Sequence, residues 1–196
     1  SFTCEVISQW KDVFPMVEYC SELYKAVCPT SWEAQHAAIP DLVKIRDSPF
    51  STLTINQRFR TAQHTDAGDF DGYGVITVLE GDYEGLNLGF PDFRVCFNMR
   101  PTDVLIFDTH HYHCNTELEM LVNSAQAQGW NRLTCVLYYR AALGEANCMR
   151  NYLRRLQEAK ESDRKDLKFE KVDETENGEN LNRPAPVHKE VLSPFN

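Results

Sequence analysis

Between residues 50 and 140 the apolar residues of this chain come in short runs, each closed off by glycine, proline, asparagine or aspartate. The runs are "STLTINQRF", "YGVITVLE", "LNLGF", "FRVCFNM", "DVLIFD" and "RLTCVLYYR". Short strands at this rhythm predict a barrel or jelly roll rather than alternating β-α units. The fold class expected is therefore mainly β with flanking α-helices.

The flanks have a different texture. In "SQWKDVFPMVEYCSELYKAVC", Trp10, Val13, Phe14, Val17, Leu23 and Val27 fall at helical spacing, and Pro15 is expected to break or kink that stretch. A second, short helix is expected over "TSWEAQHAA", capped by Thr30 or Ser31. After Gly144, "EANCMRNYLRRLQEAKE" reads as a third, with Leu153 and Leu156 on one face. This organisation predicts a single domain over 1–160: a helical part (1–48), a β core (49–141) and a helix over 144–161. Residues 162–196, charged and without periodicity, read as a flexible tail.

Composition narrows the function classes. With 196 residues, 42% hydrophobic and 25% charged, the chain suits one well-cored domain. No run of about 18 apolar residues exists, so no membrane span is expected, and the first residues show no signal-peptide pattern. The seven cysteines are odd in number and contain no C-x-x-C. Reduced thiols in an intracellular compartment follow, rather than a disulfide framework or a zinc ribbon. Basic and acidic side chains balance from Arg150 onward, so residues 1–149 carry the whole net charge of −9. Nucleic-acid binding would then need a local basic patch. Candidates are Lys44 with Arg46, Arg58 with Arg60, and "MRNYLRRLQEAKESDRK", which also reads as a solvated helix face.

Three separated elements carry chemistry. "HTD" places His64 and Asp66 two apart; on a strand, that spacing turns both side chains to one face. Alone it is a weak signal. "DVLIFDTHHYHCN" ends an apolar strand in three histidines, and two imidazoles with one carboxylate form the facial triad of non-haem Fe(II), which leaves positions open for cosubstrate and oxygen. In "WNRLTCVLYYR", Arg132 opens an otherwise apolar strand and shares a face with Thr134. A buried guanidinium there calls for a carboxylate, either from a ligand or from an internal Asp.

In order and type, H-x-D, then P-x-D-x-L-x-F-D-x-x-x-x-H, then R-x-T resembles the Fe(II)/2-oxoglutarate dioxygenases. Within them, "QHTDAGDFDGYGVITVLEGDYEGLNLGFPDFRV" and "MRPTDVLIFDTHHYHCNT" are similar to the TET and J-binding-protein branch. The similarity covers residues 50 to 140, and the chain resembles the minimal fungal, algal or protozoan members. The resemblance implies a double-stranded β-helix (jelly-roll) core, His64, Asp66 and His113 as iron ligands, and Arg132 with Thr134 on the distal carboxylate of 2-oxoglutarate. His110 and His111 are then surface residues or residues that orient a ligand. The implied cofactors are Fe(II), 2-oxoglutarate and O₂, with ascorbate as an alternative cosubstrate.

The activity so implied is oxidation of a base methyl in DNA, 5-methylcytosine to 5-hydroxymethylcytosine first. Thymine or N6-methyladenine oxidation, an ascorbate-using 5-methylcytosine-modifying enzyme, a protein or small-molecule hydroxylase, and a non-catalytic DNA-binding module are the alternatives. The partner expected is DNA with the target nucleotide flipped out, in the nucleus. Asn56, Gln63 and Asp69 are candidate base contacts, Arg58 and Arg60 candidate phosphate contacts. Phe70 and Tyr73 are either stacking residues or core.

Overall fold

Alternation of β-branched and aromatic side chains draws residues 52 to 138 into two antiparallel sheets. The computed structural model describes residues 10–119, 131–145, 150, 151, 153–155, 157, 158 and 161. They fall into two units, residues 12–149 and a second made of the chain's two ends.

A 3₁₀ turn, Lys11–Val13, precedes α1 (Phe14–Val27) and α2 (Pro29–Ala38), the first helices of the larger unit. Seven strands follow: β1 (Thr52–Gln57), β2 (Gly74–Asp82), β3 (Leu88–Phe90), β4 (Val95–Phe97), β5 (Val104–Phe107), β6 (Cys114–Asn115) and β7 (Asn131–Tyr138). One sheet runs β1-β7-β2-β5 and the other β4-β3-β6. β7 is central to the larger sheet, with Thr134 opposite both Asn56 of β1 and Val78 of β2. Between the sheets lies a core of Ile76, Val78, Tyr83, Leu86, Leu88, Phe90 and Met99, with Leu105, Phe107, Leu118 and Val136 packed against it.

Both expected helices exist, but their starts differ from expectation. Pro15 does not kink α1: it sits in the first turn, where the missing N–H costs nothing. α2 starts the same way at Pro29, so Thr30 and Ser31 lie inside the helix and neither caps it. Gln35 of α2 is buried and ties the helices to the sheet. Its Nε2 donates to the carbonyls of Pro49 (2.8 Å) and Tyr73 (3.2 Å). Its Oε1 accepts from the Tyr73 amide (3.0 Å) and the Tyr24 hydroxyl (3.2 Å).

The strand expectations hold to within a few residues, except that β6, only two residues long, has no counterpart in the sequence pattern. "HTD" is not a strand: His64 makes one isolated bridge, to His113, and Asp66 lies in the loop after it. The third helix does not begin at residue 144, because Ala141–Gly144 is a 3₁₀ turn and Glu145 is extended. Residues 150, 151, 153–155, 157, 158 and 161 are helical, with Arg154 donating to Glu158 one turn on (2.6 Å). Leu156 and the tail over 162–196 lie outside the described residues. Cys20, Cys28, Cys96, Cys114 and Cys135 are free thiols; Cys4 and Cys148 lie outside the description. No described helix is long and apolar enough to cross a membrane.

Candidate active site

Two backbone hydrogen bonds pair His64 with His113, amide to carbonyl in each direction (3.1 and 3.0 Å). That single bridge brings the loop after β1 against the entry to β6 and sets the two imidazole centroids 4.2 Å apart. The amide of Asp66 donates to the carbonyl of Thr109 (2.9 Å), which turns its carboxylate back toward both rings. His64 Nε2 lies 3.7 Å from Asp66 Oδ1 and His113 Nε2 3.5 Å from Asp66 Oδ2. One ligand atom from each of the three residues falls within 4.8 Å of the other two.

Both rings are oriented the same way. His64 Nδ1 donates to the carbonyl of Ala62 and His113 Nδ1 to that of His111, each at 2.9 Å. A carbonyl only accepts, so Nδ1 carries the proton and Nε2 faces Asp66 as the free donor atom. Phe107 and Phe90 wall the His113 ring at 5.2 and 6.2 Å. Two neutral imidazoles and one carboxylate, all hard or borderline donors and no thiolate, match the donor set of a ferrous site.

Charge is balanced locally. Burial works against the ionised Asp66, yet the charge and hydrogen bonding of His113, with His64 and Arg140 beyond, hold its carboxyl below the ordinary range. Burial also works against a charged His113, but Asp66 and the His111 carbonyl move it upward on balance. Asp69 lies three residues on, its Oδ2 accepting from Thr109 Oγ1 at 3.1 Å. Burial, and then the Asp66 carboxylate, push it up to about 6.

Arg132 is 3% exposed and finds no carboxylate among the described residues. Nη1 donates to the Phe59 carbonyl (3.3 Å) and the guanidinium sits 5.5 Å over the Tyr83 ring. Nε and Nη2 are buried without a hydrogen-bond partner. Two orphaned N–H groups on one edge of a buried guanidinium are what a bidentate carboxylate ligand satisfies. An internal salt bridge to an Asp, the other sequence reading, does not form among the described residues. Thr134, 1% exposed, is two residues along the same strand.

The remaining candidates are spread out. Gln63 is exposed beside His64, and Asn56 is half-buried in β1 opposite Thr134. Arg58 is exposed with a left-handed backbone (φ 51°), while Arg60 pairs with Glu117 at 3.6 Å. Lys44 and Arg46 pair with Asp41 and Glu18. Phe70, half-buried, stacks on Tyr139, and Tyr73, also half-buried, packs edge-on to Tyr24. His110 and His111 both bind Asp108, and His111 contributes to the site only through its carbonyl. Sequence reasoning missed Thr109, whose carbonyl places Asp66 and whose hydroxyl holds Asp69. It also missed the carbonyls of Ala62 and His111, which no side-chain pattern could mark.

Antiparallel sheets packed over a common core, with a His-Asp-His donor set fixed through Nδ1 and an unmatched guanidinium on the central strand, define a facial-triad oxygenase. The family described as the oxygenase domain of the 2OGFeDO superfamily, Tet_JBP, matches residues 1–141, and the chain belongs to it. This family membership makes the domain a dioxygenase using Fe(II), 2-oxoglutarate and O₂. The chain is 58% identical over 196 residues to thymine dioxygenase JBP1 of Trypanosoma brucei brucei. It is 54% identical to JBP1-A of Trypanosoma cruzi and to JBP1 of Leishmania infantum. In each case all of this chain is covered, and it spans 23% or 24% of the relative's length. Among solved structures, NgTET1 in complex with 5mC DNA superposes with a TM-score of 0.60 at 11% identity, covering 79% of this chain and 62% of that one. The likeness confirms the jelly-roll oxygenase fold.

Proposed function

We propose that this domain hydroxylates the methyl group of thymine in DNA. Identity of 58% along the whole chain to a thymine dioxygenase carries the substrate assignment. It reverses the order read from the sequence, where 5-methylcytosine came first: the neighbour bound to 5mC DNA shares only 11% identity and speaks to the fold alone.

The residues divide the work. His64 and His113 offer neutral Nε2 donors and Asp66 a carboxylate, so a divalent ion held there keeps one net positive charge and open positions. The orphaned Nε and Nη2 of Arg132 take the distal carboxylate of 2-oxoglutarate, with the Thr134 hydroxyl beside it. Ferrous iron so ligated, with 2-oxoglutarate and O₂, supplies an oxidant strong enough to hydroxylate an unactivated methyl. Phe90, Phe107 and the core around Tyr83 keep water away from that oxidant. A thymine stacked inside a duplex cannot reach these ligands, so the nucleotide enters flipped out, at a cost of a few kcal/mol. Gln63, Asp69 and Asn56 are the base contacts we assign, and Arg58 and Arg60 those to phosphate. A DNA substrate also makes the nucleus the expected compartment.

The test is nucleoside mass spectrometry after incubation with Fe(II), 2-oxoglutarate and DNAs carrying thymine, 5-methylcytosine or N6-methyladenine. 5-Hydroxymethyluracil from thymine is expected. Product from 5-methylcytosine alone would overturn the thymine assignment. Activity that persists with ascorbate and no 2-oxoglutarate, and survives Arg132→Ala, would overturn the cosubstrate.

A further inference from the structure

The strand register of the smaller sheet leaves an apolar ledge beside the metal ligands. Val95 lies opposite Phe90 and Phe97 opposite Leu88, and on the other side of β3, Asn115 of β6 is also opposite Leu88. Residues opposite one another across a ladder share a face. Val95 and Phe97 therefore project on the side of Leu88 and Phe90, the side facing the core and the site. Leu88 and Phe90 are buried there, yet Val95 and Phe97 are each 42% exposed. The reason is topological: among the described strands β4 is the edge of its sheet, and it carries the face out past the core.

Both ends of the β3–β4 hairpin connect to His113. Phe97 meets Phe90 edge-on at 5.8 Å, and the Phe90 ring is 6.2 Å from that of His113. At the turn, Phe93 (55% exposed) meets the His111 ring edge-on at 4.8 Å, and the His111 carbonyl fixes His113 Nδ1. Arg94, next to Phe93, is exposed in a left-handed conformation (φ 55°) and has no ion-pair partner among the described residues. A chain whose first 149 residues carry a net −9 exposes here an unpaired cation flanked by three apolar side chains.

The geometry points to this ledge as the strand-side surface for the substrate DNA: Phe97 is the platform against which the flipped base lies, and Arg94 takes a flanking phosphate. This deepens the assignment of a DNA thymine as substrate and rests on it. A base whose methyl is at the metal carries a flat ring that needs an apolar partner, and Phe97 is the exposed member of the His113–Phe90–Phe97 ring series. An aromatic platform with an adjacent cation is the combination that holds single nucleotides without reading their edges. It supplies the stacking function in place of Phe70 and Tyr73, whose rings are already packed against Tyr139 and Tyr24. Phe97 is a positioning residue: it holds the base and takes no part in the bond changes.

Equilibrium binding and turnover of the whole chain on thymine-containing duplex test this, comparing Phe97→Ala, Phe97→Leu and Phe97→Trp with Arg94→Ala. Loss of stacking in Phe97→Ala and Phe97→Leu is expected to raise the KM for DNA by about tenfold or more and leave KM for 2-oxoglutarate in place. Phe97→Trp is expected to restore the DNA KM, with indole emission quenched on binding. Arg94→Ala is expected to lower the slope of log K against log salt by about one. Thermal unfolding of each variant checks the fold independently. If the parent oxidises DNA and Phe97→Leu matches it, the ledge proposal is overturned while the DNA reading stands. A concentration-dependent dimer lost in Phe97→Ala at unchanged DNA affinity also overturns it, in favour of a second copy on the edge strand. If the parent turns over 2-oxoglutarate and oxidises no DNA, both readings fall together.

Discussion

At the scale of single residues, two groups carry opposite electrostatic consequences. Arg132 is a buried cation with two unmatched N–H groups, so it costs stability until a carboxylate arrives. Arg132→Met is therefore expected to leave the unfolding temperature of the cosubstrate-free protein unchanged or higher. It also removes the rise that 2-oxoglutarate gives the parent, and raises the KM for 2-oxoglutarate by about 100-fold, the worth of a charge-assisted pair. Calorimetry with and without 2-oxoglutarate reads both, and a destabilised variant that still responds to it would contradict the assignment. Asp69 behaves otherwise. Its folded value, about 6, lies above the ordinary carboxylate range. The folded state therefore prefers the protonated form, and stability falls as pH rises from about 4 through 6. Asp69→Asn, which retains an acceptor for Thr109, is expected to gain on the parent across that interval in metal-free protein and to hold the gain above pH 7. A difference that does not change with pH would show that the carboxyl is not held neutral. That His64, Asp66 and His113 come together was legible because H-x-D and a distal His are side-chain chemistry in a fixed order. The fixing of both rings through Nδ1 was not, since its partners are backbone carbonyls.

Helices, strands and loops act through how they hold one another. The loop carrying His64, Asp66 and Asp69 enters β2 through Tyr73, and Tyr73 is clamped at both its N–H and its carbonyl by Gln35 of α2. Gly72, next to it, has no room for a side chain, because a Cβ there would strike the Gln35 amide. Gln35→Leu takes the side-chain amide from the buried Pro49 carbonyl and from both backbone groups of the half-buried Tyr73. It is expected to cost about 3 kcal/mol in denaturant unfolding and to weaken metal retention. A neutral result would mean that water or a neighbouring group replaces the amide. The strand rhythm was readable because β-branched alternation persists over β1, β2, β5 and β7. Helix starts were misread because Pro15 and Pro29 act as first-turn residues, which the apolar periodicity cannot distinguish from breaks. β6 escaped notice because two residues have no period; it exists because His113 and its neighbours are drawn onto β3 and the His64 loop.

For the molecule as a whole, the proposed DNA substrate would require an acidic chain to bring a polyanion to the His64–Asp66–His113 site, so its cations without an ion-pair partner among the described residues would matter more than its net charge. Arg58 has no ion-pair partner among the described residues, whereas Arg60 is engaged by Glu117. Arg58→Ala is accordingly expected to weaken DNA binding at low salt and reduce the salt slope by about one, with Arg60→Ala weaker on both counts; equal effects would contradict this ranking. The strand rhythm alone led to a barrel or jelly roll, and the resemblance of H-x-D, the distal His and R-x-T to the Fe(II)/2-oxoglutarate dioxygenases supplied the iron–oxoglutarate chemistry. The sequence ranked 5-methylcytosine ahead of thymine, because no side-chain pattern in it marks which base edge a pocket would read, and the exposure of a ring such as Phe97 is set only by folding. The most direct test of the account follows succinate and 5-hydroxymethyluracil together in one reaction of the parent chain with Fe(II), 2-oxoglutarate and thymine-containing duplex. The two products are expected to accumulate mole for mole and to vanish together in Asp66→Ala. Succinate formed without 5-hydroxymethyluracil, or either product persisting in Asp66→Ala, would contradict it.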